Sequence, residues 1–421
     1  MGSIMLTNES ILYLGSITYN HYQKDFWESI RQESGTGGKF MLDLSNLYRP
    51  QRFVSRNGDW SLAWPQELPS KFEMPIYDPS FNKSFTEVSD NRAREIAELI
   101  NQKNQKFVIM YSGGFDSTVI MAALIKNLTQ EELSNVSVCA NGHSMIENPI
   151  FWKKFIWQKF KIYDSSRYKY DDLIELGLRP ITADEGDCIF GTGGFLELQQ
   201  NYEFYLEKVS PESRAHLSNL KFKMTSPDVH YSEYKDLLIS HWSTLEAPNL
   251  GAAWYDKFEK NIKTATVPIQ SLHDYYWWIL FNIKWFSCAV RISLFFNDRL
   301  DYGTVINDWA VNWFNSVDYQ HWSMVNNNNG EKIEYGPTTY KMAARKYIYD
   351  LDKNDWYYNF KLKLGSLGPN VMYHQEVDNL PDRLKPNARF GIDKDYNLLS
   401  IDDIDVQNYI RHHMSQFERD W

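Results

Sequence analysis

The segment 107–124 constrains the fold of this chain more than any other. It reads Phe-Val-Ile-Met-Tyr-Ser-Gly-Gly-Phe-Asp-Ser-Thr-Val-Ile-Met-Ala-Ala-Leu, an apolar run up to Tyr111, then two glycines, then a second apolar run. The first run predicts a buried strand, and the residues from Val119 onward predict a helix. Gly113 and Gly114 predict a tight turn between the two.

This strand–turn–helix pattern is suited to binding phosphate. The start of a helix presents unpaired N–H groups and the positive end of the helix dipole. Gly113 and Gly114 let the backbone approach a ligand closely, because neither carries a Cβ. The Ser112 and Ser117 hydroxyls are further donors, and Asp116 is a suitable Mg²⁺ ligand. For the two glycines alone, an ordinary strand-to-helix turn of an α/β sheet is the alternative.

The complete string Ser-Gly-Gly-Phe-Asp-Ser at 112–117 is more specific than its glycines. No lysine follows them, so the string is not the GxxxxGK[ST] loop of kinases and GTPases. It resembles the PP-loop of the ATP pyrophosphatases, which cleave ATP between the α and β phosphates. The resemblance implies transfer of AMP to a substrate, release of pyrophosphate, and an adenine nucleotide α-hydrolase-like fold. It implies an ATP site formed by Met110, Ser112, Gly113, Gly114, Asp116, Ser117, Thr118 and Val138, with the backbone at Met110 and at Val138 to Ala140 near the adenine.

Composition narrows the class of protein. The formal net charge of −10 argues against a general nucleic-acid binder, since neutralising phosphates needs a basic face. The three cysteines, Cys139, Cys188 and Cys288, form no CxxC pair, so we expect neither a disulfide scaffold nor a thiolate zinc site. The sequence shows no signal peptide and no apolar stretch of membrane-spanning length. We therefore expect a cytoplasmic protein with no membrane partner.

Hydrophobic patterns divide the chain into three parts. Short segments punctuated by Gly, Pro and Asn in residues 1–88 predict a small N-terminal α+β or β module. Residues 89–365 predict a doubly wound parallel α/β sheet with its ligand at the carboxyl ends of the strands, followed by a helical part from about 195. Residues 366–421 form a C-terminal extension. The predicted strands are 107–111, 136–140 and 179–182, and the predicted helices include 89–100, 150–160, 234–242, 271–296, 302–313 and 403–417.

A second motif follows the predicted strand at 179–182. Asp184, Glu185 and Asp187 place three carboxylates in one loop beside Gly186. Such a loop is either a solvated acidic turn or a cation site. Next to the phosphate loop, Asp187 becomes a candidate second Mg²⁺ ligand, because two carboxylates on one Mg²⁺ suit the bridging of a polyphosphate.

With this loop, the resemblance narrows to the synthetase domain of asparagine synthetases and β-lactam synthetases. Their acidic motif is similar to Ser/Thr-Gly-Glu/Asp-Gly-x-Asp-Glu-x-Phe-Gly-Gly. Phe190-Gly191 can be aligned without gaps to the Phe-Gly of this motif. In that alignment, the resemblance implies that Asp184 assists the nucleophile and that Asp187 binds the metal. Ala183 and Glu185 replace glycines of the motif, and Cys188 replaces an acid. These departures weaken an assignment to asparagine synthetase itself.

Two later patches extend the resemblance to about residues 85–365. Arg291-Ile-Ser-Leu-Phe-Phe-Asn-Asp298 is similar to the family's Arg-x-Pro-Phe-Leu-Asp stretch but lacks its proline. Lys341 and Arg345 match a Lys-x-x-x-Arg pair, whose lysine is implied to stabilise the α-phosphate and then the departing pyrophosphate. The spacing of four predicts both cations on one helical face. Without the other motifs, a solvated basic helix face would be the simpler interpretation of this pair.

These motifs predict an ATP-dependent amide-forming ligase with ATP and Mg²⁺ as cofactors and with small carboxylate and amine substrates. Glutamine-dependent asparagine synthetases begin with a catalytic cysteine, whereas this sequence begins Met-Gly-Ser-Ile and has no cysteine before Cys139. We therefore expect ammonia, another amine, or a separate amine donor or glutaminase partner. One alternative is a PP-loop enzyme that adenylylates a nucleobase in tRNA or deazapurine modification. The other alternative is a non-catalytic nucleotide-binding or structural relative.

Overall fold

A parallel sheet organises the part of the chain that the structure describes. The computed structural model describes residues 56, 73–140, 142–165, 168, 170–243, 250–285, 288, 310–326, 331–333 and 340–361. The strands are β1 (Lys106–Met110), β2 (Val136–Ala140), β3 (Lys161–Asp164), β4 (Leu178–Thr182) and β5 (Val311–Asn312). Their order across the sheet is β3-β2-β1-β4-β5, and all neighbours are parallel. The prediction of an α/β fold with a parallel sheet is confirmed.

The order of the strands reverses at β1. The chain runs from β1 to one edge through β2 and β3, and it then places β4 and β5 on the other side of β1. In open α/β sheets, such a reversal leaves a crevice at the carboxyl ends of the two strands where it occurs. Because β1 and β4 are paired, the segments that follow these two strands begin side by side at that crevice.

Helices surround the sheet and make up most of the described residues after β4. The α-helices are α1 (Phe85–Lys103), α2 (Phe115–Asn127), α3 (Gln130–Leu133), α4 (Gly142–Glu147), α5 (Pro149–Phe151), α6 (Tyr170–Glu175), α7 (Gly186–Phe190), α8 (Gly193–Gln200), α9 (Tyr202–Leu206), α10 (Pro211–Ser218), α11 (Lys235–Trp242), α12 (Leu250–Ile262), α13 (Leu272–Trp278), α14 (Val317–Val325), α15 (Met342–Asp352) and α16 (Asp355–Phe360). Short 3₁₀ turns span Lys221–Lys223 and Tyr231–Tyr234, and π-helical segments span Trp152–Ile156 and Ile279–Lys284.

Both faces of β1 are buried, which explains its continuous apolar sequence. Phe107 and Ile109 belong to the large core, whereas Val108 and Met110 belong to a second cluster that includes Leu173 of α6. Alternate side chains of a strand point to opposite faces, so an apolar residue is needed at every position when both faces are covered.

Helix α1 begins earlier than the sequence pattern predicts. Ser84 is its N-cap: the Ser84 hydroxyl accepts the N–H of Glu87, and the Glu87 carboxylate accepts the N–H of Ser84. The start predicted at Ser89 or Asp90 is therefore wrong, because this capping box fixes the helix one turn earlier. The predicted domain boundary after residue 88 falls inside α1.

The segment 149–164 differs from the single predicted helix. Only Pro149–Phe151 is α-helical, the π-helical segment Trp152–Ile156 follows, and strand β3 then begins at Lys161. The sequence pattern missed β3 because the strand is four residues long and lies at the sheet edge, where Lys161 is exposed. The strand predicted third, at 179–182, is consequently β4.

The helix predicted over 302–313 is also wrong at its end. Val311 and Asn312 form β5, paired in parallel with Ile181 and Thr182. Residues 302–309 of that prediction lie outside the described residues. The predicted helix at 403–417 lies outside them too.

Little of the predicted N-terminal module is described, but one of its residues reaches the core. Arg56 is buried, and its guanidinium donates to the Phe281 carbonyl oxygen at 3.1 Å and lies over the ring of Trp285. The C-terminal extension 366–421 lies outside the described residues. Within the described ranges, no helix is both long enough and apolar enough to cross a bilayer.

Candidate active site

The glycine turn between β1 and α2 is closely packed. Gly113 has a φ of +77°, a left-handed conformation that favours glycine. A Cβ on Gly113 would overlap the carbonyl oxygen of Ser144 and would lie 2.9 Å from the Cβ of Glu147. Helix α4 therefore packs directly on the turn, and a side chain at position 113 would force the two apart.

Two serines hold the turn in shape. The backbone N–H of Ser112 donates to the Ser117 hydroxyl at 3.1 Å, and the N–H of Gly114 donates to the Ser112 hydroxyl at 3.2 Å. The first amides of α2 precede its first intrahelical bond, from Thr118 N–H to the Gly114 carbonyl at 2.9 Å. The turn is thus followed by a helix N-terminus, where the amides and the helix dipole favour an anion.

Two predicted metal ligands and the predicted catalytic lysine meet beside this turn. The Lys341 Nζ lies 2.5 Å from the Asp116 Oδ2 and 2.7 Å from the Asp187 Oδ1. Asp116 is the second residue of α2, after β1, and Asp187 is the second residue of α7, after β4. The strand reversal thus brings together carboxylates that are far apart in the sequence.

Further contacts orient the Asp187 carboxylate. The Thr192 hydroxyl donates to the Asp187 Oδ1 at 3.0 Å, and the Lys284 Nζ lies 3.8 Å from the Asp187 Oδ2. Lys284 ends the second π-helical segment. At Gly186, a Cβ would overlap the Asp116 carboxylate, so the two acidic segments approach each other at van der Waals contact.

Burial and charge act in opposite directions on Lys341. Burial lowers its pKa, but the negative charges of Asp116 and Asp187 and their hydrogen bonds outweigh burial, so the pKa lies above its usual value. Lys341 is therefore an ammonium at neutral pH. Its backbone is left-handed, with a φ of +55°, and it stands immediately before α15. The prediction that Lys341 and Arg345 share one helical face is wrong, because Lys341 is not in the helix.

The donor set between α2 and α7 fits Mg²⁺. Asp116 and Asp187 offer carboxylate oxygens on two sides of one position, which the ammonium of Lys341 occupies in this structure. Mg²⁺ is typically held by one or two carboxylates together with waters and substrate phosphates. Among the described side chains, no three or more His, Cys, Asp or Glu are grouped as a metal site. Phosphate oxygens and waters would therefore have to complete the coordination.

Arg345 bonds backbone carbonyls and packs on aromatic rings. Its Nε donates to the Tyr340 carbonyl at 2.6 Å, its Nη1 donates to the Tyr358 carbonyl, and its guanidinium packs over the rings of Phe115 and Tyr340. Burial lowers the pKa of Arg345, against the opposing effect of nearby tyrosines. The structure therefore places this residue where it links two backbone segments.

The remaining predicted residues occupy different surroundings. Asp184 is partly exposed in the turn between β4 and α7. Thr118 is buried, and its hydroxyl lies 3.2 Å from the Tyr357 hydroxyl, behind the turn. Met110 and Val138 are buried on opposite faces of the sheet, in two different apolar clusters.

Sequence reasoning missed Lys284, Tyr357, Glu147 and Lys361. The Tyr357 hydroxyl donates to the Gly113 carbonyl at 2.8 Å, and Glu147 and Lys361 form a buried ion pair beside Gly114. No local spacing connects these residues to the turn, because they approach it only through the tertiary fold. Comparison with known proteins gave no match to any protein-family model, curated protein or solved structure.

Proposed function

We propose that this protein is an ATP-dependent amide-forming ligase of the PP-loop kind, with a doubly wound sheet. Convergence of the carboxylates that follow β1 and β4 on Lys341, next to the glycine turn, carries the proposal. The crevice at a strand reversal is where open α/β sheets bind ligands. A helix N-terminus, a lysine and two carboxylates there meet the needs of a metal-bound polyphosphate.

The proposed reaction has two steps. The substrate carboxylate attacks the α-phosphorus of ATP, which forms an acyl-adenylate and releases pyrophosphate. The amine then attacks the acyl carbon, loses a proton and displaces AMP. Mg²⁺ held by Asp116 and Asp187 would neutralise charge on the phosphates.

The residues of the chain have separate roles in these steps. The amides at the start of α2 bind phosphate oxygens, and Lys341 stabilises the charge that develops on the departing pyrophosphate. Asp184, partly exposed at the mouth of the acidic turn, accepts the proton of the amine. Arg345 acts by position, since its bonds to the Tyr340 and Tyr358 carbonyls fix the backbone next to Lys341.

An ATP–pyrophosphate exchange assay tests this function. Purified protein, Mg²⁺ and labelled pyrophosphate are incubated with a panel of amino acids and other small carboxylates. Exchange that depends on one carboxylate is the expected result. Exchange that depends on a nucleobase or tRNA would move the protein to the nucleobase-modifying group. No exchange with any substrate, despite ATP binding, would indicate a non-catalytic relative.

Replacement of Gly186 by alanine should impair the site without unfolding the protein. The added Cβ would overlap the Asp116 carboxylate, so Asp116 must move away from Asp187. We expect exchange to fall about 100-fold, as for a displacement of about 1 Å in a catalytic group. Gly177→Ala is the control for the loss of a glycine: a Cβ there meets no atom within 4 Å, so the change adds only the strain of its φ of +73°. Equal exchange rates in both variants would contradict the close approach of the two acidic segments.

A further inference from the structure

Lys332 is a fully buried lysine that takes no part in the site described above. Its ammonium donates to the Ser323 carbonyl and lies 4.3 Å from the centroid of the Trp277 ring. Ser323 is in the last turn of α14, where the final carbonyls of a helix lack partners within it and the helix dipole favours a cation. Burial lowers the pKa of Lys332, against the opposing charge of Asp274. Because an apolar side chain of similar length would fill this space without the cost of burying an amine, packing alone does not account for a lysine here.

The backbone around Lys332 holds the start of α15. The N–H of Met342 donates to the Lys332 carbonyl at 3.4 Å, and the N–H of Ala343 donates to the Glu331 carbonyl at 2.7 Å. These are the first two amides of α15, which have no partner inside the helix. Lys341 stands immediately before them in a left-handed conformation, and a residue other than glycine keeps that conformation only where its surroundings fix it. The backbone of Lys341 is therefore set by the segment that Lys332 anchors.

Ser323 connects the same anchor to the helix of Asp187. The Ser323 hydroxyl donates to the Ile189 carbonyl at 2.7 Å and accepts the Trp277 Nε1–H at 2.8 Å. Ile189 lies in α7, whose second residue is Asp187. Ser323 thus contacts α7 through its hydroxyl and, through its carbonyl, the buried ammonium whose segment precedes Lys341. One buried residue joins the two elements that meet at the ion pair of the candidate site.

We propose that Lys332 is a positioning residue for Lys341, because its bond to Ser323 holds the start of α15 against α7. The bond keeps the Lys341 ammonium at its 2.7 Å contact with Asp187. The effect on catalysis rests on the function proposed above, whereas the effect on the position of Lys341 does not. A displaced Lys341 stabilises the departing pyrophosphate less well, so loss of the anchor lowers the maximal rate and leaves the affinity for ATP nearly unchanged.

Acetylation of Lys341 measures its position without any activity. The protein is treated briefly with acetic anhydride, and peptide mass spectrometry compares Lys341 with Lys346, whose side chain is 70% exposed. Lys341 should react slowly in the wild type. In Lys332→Met, we expect its relative reactivity to rise about 10-fold or more, the loss expected for one hydrogen bond of a charged group. Lys154→Met is the control, because Lys154 donates to the Asp352 carbonyl at the opposite end of α15.

Exchange kinetics test the consequence for catalysis. Lys332→Met should lower the maximal rate of ATP–pyrophosphate exchange about 10- to 100-fold, because a displacement of about 1 Å in a catalytic group can cost 100-fold. The half-saturating ATP concentration should stay within about twofold of the wild-type value. In the Lys341→Met background, Lys332→Met should have no further effect, since the group that it positions is absent. A purely structural defect would lower the rate by the same factor in both backgrounds.

A second variant keeps the test decisive if Lys332→Met does not fold. Ser323→Ala retains Lys332 and its carbonyl contact but loses the bond to Ile189, so it should also raise the acetylation of Lys341 and lower exchange. Ser240→Ala is its matched control: the buried Ser240 hydroxyl donates to a carbonyl at 3.0 Å in a part of the core that does not contact α7. It should acetylate and exchange like the wild type.

These outcomes separate the two proposals. If the wild type is active in exchange and Lys332→Met changes neither the acetylation of Lys341 nor the rate, the positioning role is wrong and the ligase function stands. Equal losses of rate in both backgrounds also overturn the positioning role. If acetylation of Lys341 rises in Lys332→Met but no substrate supports exchange by the wild type, the positioning of Lys341 stands and the ligase function is wrong. If neither is observed, both proposals are wrong.

Discussion

Replacement of Lys341 by methionine should lower carboxylate-dependent pyrophosphate release about 10²- to 10³-fold. That is the usual cost of removing one fixed group that stabilises charge in a transition state. The ammonium lies at the meeting point of the two acidic segments, and only 6% of its side chain is exposed. Water cannot readily replace it there. Initial rates of pyrophosphate release at saturating ATP measure the effect.

The same substitution should make folding depend on Mg²⁺. Without the ammonium, the Asp116 and Asp187 carboxylates repel each other, and breaking a buried ion pair costs about 3–5 kcal/mol. Because Asp187 is partly exposed, we expect a smaller loss in Mg²⁺-free buffer, which bound Mg²⁺ should largely restore. In the wild type, the raised pKa of Lys341 keeps its stabilisation complete at neutral pH, and the stabilisation is lost only as the pH rises through that raised value.

The lysine at the other end of α15 is the matched control. Lys353 follows α15 with the same φ of +55°, but its side chain is 61% exposed and its nearest carboxylate oxygen, on Asp350, is 3.7 Å away. Lys353→Met should therefore change neither pyrophosphate release nor the Mg²⁺ dependence of unfolding. A Lys341→Met protein with wild-type release would remove Lys341 from the proposed chemistry.

The sequence was most informative where the relevant signal is local. Each of these signals lies within a few residues: the apolar run before Tyr111, the glycines at 113 and 114, and the position of Asp116 just after the turn. They predicted β1, the turn and a helix after it, which begins at Phe115. Asp187 was found by matching a motif at Phe190-Gly191, and the parallel sheet then accounts for its approach to Asp116.

The parts that the sequence did not predict depend on distant contacts. Glu147 and Lys361 are 214 positions apart, and no periodicity connects them. Arg345 has the spacing of a second catalytic cation, but its guanidinium lies between aromatic rings and bonds carbonyls. Helical propensity cannot show which way such a side chain turns, because tertiary packing determines it.

Replacement of Asp116 by asparagine should raise the Mg²⁺ concentration needed for half-maximal exchange by about 100-fold or more. Residues that only support a metal ligand typically change metal affinity 10- to 100-fold, so a direct ligand should reach at least the top of that range. Asp187→Asn should have a similar effect, since its carboxylate lies on the other side of the same position. Titration of exchange with Mg²⁺ at fixed ATP measures both.

The stability of these variants distinguishes a metal ligand from a simple partner of Lys341. In Asp116→Asn, the ammonium keeps its 2.7 Å contact with Asp187, so we expect a small change in unfolding temperature. Asp318→Asn is the control, because Asp318 pairs with Lys83 on the surface and should leave the Mg²⁺ titration unchanged. If the carboxylates served only to hold Lys341, Asp116→Asn would lower the maximal rate at every Mg²⁺ concentration and leave the midpoint of the titration in place. A shifted midpoint with a recoverable maximal rate is the result that a metal-binding role requires.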